Sequence, residues 1–355
     1  MSERWTDLIK SWKAEEEIAH IHGWDFSHLD GRYAEEEDLP WDYREIILNV
    51  LQPEMKILDI DTGGGEFLLS LGHPCHNTAA TEGFPPNVLL CRDTLSPLEI
   101  DFRPWDGKGP LPFDDQSFDM VLNRHGDFDA QKIFRVLKPG GLFITQQVGA
   151  ENDREFVELL CGKQPLPFPE QYASKTAEAF KNRGFQILRQ EECFAPMRFY
   201  DVGALVWFAR IIPWEFPGFS VDTHLDNLLE AQKFLEQTGY IEGKAHRFLL
   251  VAQKMKDVKI TAVRKVCHGD LMAKYENPIE HACDVQEGAV WISHKGEKPE
   301  GLCDSAWDSM AWFVKELARG GGNFYDGWMK NPNSAMISCN DGFRPVSFYL
   351  ETVEE

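Results

Sequence analysis

From Lys56 onward the chain changes period, and that change constrains the fold more than anything else in the sequence. Short apolar runs alternate with helical stretches: KILDI (56–60), TAATE (78–82), EIDFRPW (99–105), FDMVLN (118–123), GLFITQQV (141–148), FQILRQEECF (185–194) and RFLLVAQ (247–253) read as strands. Near-continuous apolar strands of this kind belong to a mainly parallel sheet covered on both faces, because alternation would be expected if one face met water. The intervening VLLCRDTLSPL, AQKIFRVLK and ASKTAEAFKNRG read as helices, the last two closed by Gly140 and Gly184 at their C-termini. Seven strands with helices between the first five predict a doubly wound α/β domain over 46–255. Upstream, residues 1–45 read as a helical extension, with Trp5, Leu8, Ile9, Trp12, Ile18 and Ile21 near helical spacing.

Between the sixth and seventh strands lies an insertion at 195–245, rich in Phe, Tyr and Trp. Loops of that length inside a compact domain usually cover a site, so it is expected to form a substrate lid. The same segment also suits a homodimer interface. With 355 residues the chain is long enough for two domains. VKITAVRKV restarts a strand after Lys256, and 257–355 is expected to be a smaller α+β unit with its own core.

Charge excludes one class of partner. The 58 Asp and Glu outnumber 36 Lys and Arg, a formal charge of −22, and such a surface repels a phosphate backbone. A small-molecule substrate is therefore expected, with neither nucleic acid nor a membrane as partner. No apolar run approaches the roughly 18 residues of a membrane span. The eight cysteines form no CxxC pair, the first residues lack the basic and apolar segments of a signal peptide, and a reducing cytoplasm is the expected location. Cys283, Cys303 and Cys339 lack the paired knuckles of structural zinc sites, even with His281 nearby. They are expected to be buried apolar thiols, and no metal is predicted.

The chemistry concentrates where LDIDTGGGEFLLSL joins the first strand to a helix through Gly63, Gly64 and Gly65. Glycines let a backbone approach a ligand closely. Strand two ends in Glu82, placed to grip a ribose diol. These features alone suit NAD as well as S-adenosylmethionine. LPFDDQSFDMVLNRH followed by RVLKPGGLFITQQ decides between them, because over about 40–255 it closely resembles the class I S-adenosylmethionine-dependent methyltransferases of the "type 11" sort, with a Rossmann-like sheet. The resemblance implies that Asp59, Asp61, Gly63, Gly64 and Gly65 form the loop beneath the methionine part of S-adenosylmethionine. It places Glu82 on the ribose, Gly83 and Phe84 beside the adenine, and Asp106 near the adenine amino group. Asn123 would face cofactor and substrate, and S-adenosylhomocysteine would be the product. One position departs from the family: where it usually has the first glycine of DxGxGxG, this chain has Asp61.

Methyl transfer from a sulfonium is an in-line displacement that depends mainly on positioning. His125, in NRH at the carboxyl edge of strand four, is the candidate catalytic residue, either as a base for an oxygen or nitrogen acceptor or, the preferred reading, as a positioning hydrogen-bond group, with Asn123 beside it. Arg124, Arg198, Tyr200, Trp207 and Trp214 are the candidate substrate contacts. Two other readings are open: a non-catalytic S-adenosylmethionine-binding or regulatory protein, favoured by Asp61, and an RNA methyltransferase, which would need a basic groove. Residues 257–355 resemble a small uncharacterised prokaryotic domain family through VKITAVRK, PEGLCDSAW, AWFVKELARGGG and SCNDGFRPVSFYLE. That resemblance implies no activity. The appended unit is expected to cover the site, oligomerise or recruit a partner.

Overall fold

The computed structural model describes residues 3–20, 26–35, 39–280 and 283–353; Ile21 and His281 lie outside them. Helix α1 (Glu3–Ile18), strand β1 (Tyr33–Ala34) and helix α2 (Tyr43–Leu48) precede β2 (Ile57–Ile60), α3 (Glu66–Ser70), β3 (Thr78–Glu82), α4 (Pro85–Thr94) and β4 (Asp101–Pro104). Next come β5 (Phe118–Arg124), α5 (Ala130–Val136), β6 (Leu137–Val148), α6 (Arg154–Cys161), α7 (Ala173–Asn182), β7 (Phe185–Phe199), α8 (Val202–Ile211), α9 (Leu225–Thr238) and β8 (Ile241–Lys254). They build a sheet in the order β1-β7-β8-β6-β5-β2-β3-β4. Strands β2 to β6 pair in parallel, and β8 runs antiparallel to β6 and β7. This is a Rossmann-like, doubly wound α/β architecture. The expected seven strands are joined by an eighth, because Tyr33 and Ala34 of the extension pair with Phe199 and Arg198 on the open edge of β7.

The order reverses between β2 and β5, so their carboxyl ends flank a crevice where ligands of open α/β sheets bind. Both faces are packed. Phe143 stacks on Phe180, 4.8 Å between ring centroids, within the core on one side. Ile57, Leu68, Cys91 and Leu122 fill the other. Helix α4 begins three residues ahead of the predicted helix, with Pro85 in the first turn, where a missing N–H costs nothing.

Three expectations need correction. The insertion spans 200–240, not 195–245: β7 continues to Phe199 and β8 starts at Ile241, and the two pair continuously from Arg189 to Phe199. Helix α5 is not closed by Gly140. The helix ends at Val136 and the chain passes directly into β6 at Leu137; Gly140 lies where the register of that strand shifts, at φ +79°, and a Cβ there would overlap the Arg319 carbonyl oxygen. Gly184 does follow the end of α7 with φ +98°, as expected.

The third correction concerns the carboxy-terminal part, where β9 (Val258–Lys265), α10 (Gly269–Tyr275), β10 (Val290–Ser293), α11 (Asp304–Ala318), β11 (Ser334–Ser338) and β12 (Val346–Thr352) follow. A separate antiparallel sheet, β10-β9-β12-β11, packs with α11 around Ile260, Met310, Val314 and Phe348. Helix α11 ends in a Schellman turn: Gly321 N–H bonds Glu316 C=O at 2.9 Å and Gly320 N–H bonds Leu317 C=O at 3.0 Å. That turn meets Pro139 and Gly140 near the amino end of β6, and Lys256 N–H bonds the Ala318 carbonyl at 2.7 Å. Eight residues of strand, about 26 Å at ~3.3 Å each, separate Gly140 from Val148 at the ligand end. This unit does not cover the site. Nor are all its thiols buried, since Cys303 is exposed while Cys283 and Cys339 are half-buried; the eight cysteines are free, and no metal-binding cluster occurs among the described residues.

Candidate functional site

The site begins in the turn after β2. Asp59 is 4% exposed, and its Oδ2 accepts the Thr62 hydroxyl at 2.7 Å. Burial first, then the charges of Asp61 and Glu82, push its pKa up to about 7 against the opposing Thr62 bond. Asp61, at the family's glycine position, adopts φ +55° and turns its Oδ2 to the Asp127 N–H at 3.1 Å. Its pKa also rises to about 7, through burial and then through Glu82. Gly63 at φ +66° and Gly65 at φ +86° take the left-handed conformations that admit glycine most readily. Gly64 N–H bonds Glu66 Oε2 at 3.1 Å, closing the loop locally.

Glu82 ends β3, 5% exposed. Its Oε1 accepts Gly83 and Phe84 N–H groups, both at 2.8 Å, and its Oε2 accepts Gly63 N–H at 2.9 Å. The carboxylate thus ties the glycine loop to the start of α4. Asp61, Glu82, Gly83, Phe84, Trp105, Asp106, Asp127, Phe128 and Lys132 line one cleft of about 440 Å³. Asp106 is exposed there, held below the usual carboxylate range first by the Lys108 N–H at 3.1 Å. Aromatic walls for a purine, a strand-end carboxylate for a diol and an excess of acids for a sulfonium suit this cleft to S-adenosylmethionine.

Beyond the end of β5 a second cavity opens, about 720 Å³, lined by Phe26, Tyr33, Glu35, Arg124, His125, Gly126, Asp127, Gln147, Asn152, Asp153, Phe168, Phe208, Trp214, Glu215 and Arg247 among others. Asp127 lines both hollows. Gly126 beside it has no room for a side chain: a Cβ there would lie 2.5 Å from Asp61 Cβ and 2.9 Å from Asn123 Nδ2. Helix α8 contributes Phe208 to the wall, backed by a core that joins Trp12 of α1 with Phe199, Leu205 and Trp207.

The candidate catalytic and substrate residues separate. His125, at φ +61°, lines the cavity. Trp41 Nε1 donates to Gln146 Oε1 at 2.8 Å, which fixes that amide and turns its NH2 to His125 Nε2 at 3.3 Å. An amide nitrogen only donates, so the imidazole is neutral with its hydrogen on Nδ1 and its lone pair engaged. Burial and then Arg124 lower its pKa to about 3, which keeps the ring neutral. Asn123 faces neither hollow. It is fully buried and braces neighbouring strands, donating to Ile60 O at 3.0 Å and accepting from Thr145 and Gln147. Arg124 lines the cavity and lies over the Phe67 ring at 5.5 Å. Trp214 lines it too, half-exposed. Trp207 does not: it is 3% exposed and packs on Phe26 and His28. Arg198 is drawn off by Glu242, its cross-strand partner, at 2.6 Å, and Tyr200 is an exposed residue after β7 outside the cavity lining.

Several cavity residues escaped the sequence reading. Arg247 is 4% exposed, paired with Glu35, and its Nη1 donates to Asn152 Oδ1 at 2.6 Å. Burial lowers its pKa to about 10. The signal was a charged HR pair opening the apolar run at 246–253. Asp153 and Glu215 come from loops with no periodicity to mark them.

The site thus sits on a doubly wound sheet with a glycine loop after its first parallel strand and a buried acid ending the second. Residues 58–145 match the family described as "Methyltransferase domain". A curated relative, the demethylmenaquinone methyltransferase of Thermus thermophilus, is 30% identical over 119 residues, covering 30% of this chain and 54% of that protein. The chain thus spans about half the length of that relative. Among solved structures, the YcgJ protein of Bacillus subtilis is 16% identical with a TM-score of 0.42, covering 60% of this chain and 97% of that one. A SAM-dependent methyltransferase from Aquifex aeolicus is 13% identical with a TM-score of 0.37, covering 68% and 97%.

Proposed function

We propose that the protein transfers a methyl group from S-adenosylmethionine to a small-molecule acceptor. The observation that carries this reading is the cavity of about 720 Å³, which shares Asp127 with the acid-lined cleft, a volume typical of a small-ligand site. Asp59, Gly63, Glu82 and Phe84 would hold the cofactor, which when bound supplies the electrophilic methyl group. The protein's part is to orient the acceptor and exclude water with Phe26, Phe208 and Trp214. His125 would direct the acceptor through its Nδ1–H. The net charge of −22 supports a small molecule over RNA.

A non-catalytic cofactor-binding protein is the second reading, favoured by Asp61 at the glycine position. Incubation with S-adenosylmethionine and metabolite extracts, read by mass spectrometry, separates the two. Methyl gain by an extract component that depends on the protein is expected. Tight cofactor binding with no methylated product in any extract would favour the second reading.

A further inference from the structure

Asp153 lines the cavity apart from the residues assigned to cofactor and acceptor. It precedes α6 at the position where an aspartate ordinarily accepts a backbone N–H of the first turn, yet its side chain makes no such bond. Its backbone takes φ +59°, and the side chain lines the cavity, fully buried. Oδ2 accepts the Asn152 amide at 2.6 Å, while Oδ1 has no hydrogen-bond partner. A buried oxygen without a partner is costly unless a ligand supplies one.

The surroundings indicate what that ligand atom is. Glu35, Asp127, Asp153 and Glu215 line the cavity against Arg124 and Arg247. Arg247 is already matched by Glu35 and Asn152, and Glu215 by Arg154. The charged groups acting on Asp153 are Glu215, Arg154 and Glu155. Burial, then Glu215, raises its pKa well above the ordinary value, and a cation beside it would favour its ionised form. Phe26, Tyr33, Phe168, Phe208 and Trp214 form the apolar walls, and aromatic faces favour both planar groups and cations.

We propose that the acceptor carries an amine on a planar apolar body, and that its nitrogen donates to Asp153 Oδ1. Asp153 is thus a substrate-binding residue; the proposal does not assign the atom that is methylated. It rests on the methyltransferase reading for the word acceptor, but the amine subsite stands or falls separately.

The test is calorimetry on the full chain at pH 7, with and without saturating S-adenosylhomocysteine, using 2-phenylethylamine, 2-phenylethanol and 3-phenylpropionate as probes. The amine is expected to bind at least about 10-fold more tightly than either other probe, the range of a charge-assisted hydrogen bond. It should also release a proton, seen as a dependence of the heat on buffer ionisation enthalpy. Asp153→Asn should weaken the amine about 10–100-fold, abolish the proton release and leave 2-phenylethanol unchanged. Equal affinity for the three probes, an amine with no measurable binding at millimolar concentration, or an indifferent Asp153→Asn would overturn the proposal. Should that variant not fold, proton release by the unsubstituted protein still decides. Absence of S-adenosylhomocysteine binding would instead count against the methyltransferase reading, whatever the amine does.

Discussion

Replacing Asp61 with Asn tests the electrostatics of the glycine loop. Asp61 rises from an ordinary 3.8 to about 7 through burial and the neighbouring Glu82. At ~1.36 kcal/mol per pK unit this amounts to about 4 kcal/mol as a ceiling. Asp59 rises in concert, so about 2–4 kcal/mol is recoverable from one substitution. The direction follows from the raised value. Between pH 4 and 7 the folded protein keeps a proton that the unfolded chain has released, so stability falls as pH rises through that window and stays low above it. Asn tolerates positive φ and keeps an oxygen for the Asp127 N–H, while removing the charge. Asp61→Asn should therefore raise the melting temperature by about 4–8 °C at pH 8, and by roughly a third of that at pH 5. Differential scanning calorimetry at the two pH values measures both. An equal gain at pH 5 and 8, or destabilisation at pH 8, would refute the reasoning.

Three further outcomes follow from particular contacts. His125 should remain neutral from pH 8 down to pH 5, because burial and Arg124 lower its pKa to about 3; an NMR titration of its ring showing a midpoint near 6.5 would contradict this. Gly140→Val should cost about 2 kcal/mol or more, from positive φ and overlap with the Arg319 carbonyl. Urea unfolding should shift to a lower midpoint with cofactor affinity unchanged, and an unmoved midpoint would be inconsistent with the docking described. Trp207→Ala should cost about 3–5 kcal/mol as a core deletion, lowering thermal stability; a selective loss of acceptor binding at unchanged stability would place Trp207 in the cavity after all.

The parallel sheet was legible because apolar runs and glycine turns report local geometry, and LDIDTGGG and TAATE carry enough of both to mark the crevice. What escaped was set by distant partners. Arg198 reads as a free cation until β7 and β8 pair and place Glu242 opposite it. Trp207 sits in an aromatic segment that looks like a lid, but α1, some 190 residues earlier, packs on α8 and closes over it. Asn123 lies at the expected strand end, yet strand neighbours on both sides claim its amide before any ligand does. Asp153 carried no sequence signal, because an aspartate before a helix reads as a cap, and only the structure shows that it is not capping.

Calorimetric titration of the full chain with S-adenosylmethionine, repeated on Glu82→Gln, bears most directly on the cofactor cleft. Glu82 ends β3 with its carboxylate facing the loop at Gly63 and the cleft. The protein should bind the cofactor with a stoichiometry of about one, and Glu82→Gln should weaken binding by about 10–100-fold, the range of a lost charge-assisted hydrogen bond. No binding of S-adenosylmethionine or S-adenosylhomocysteine at millimolar concentration, or full affinity in Glu82→Gln, would contradict the account.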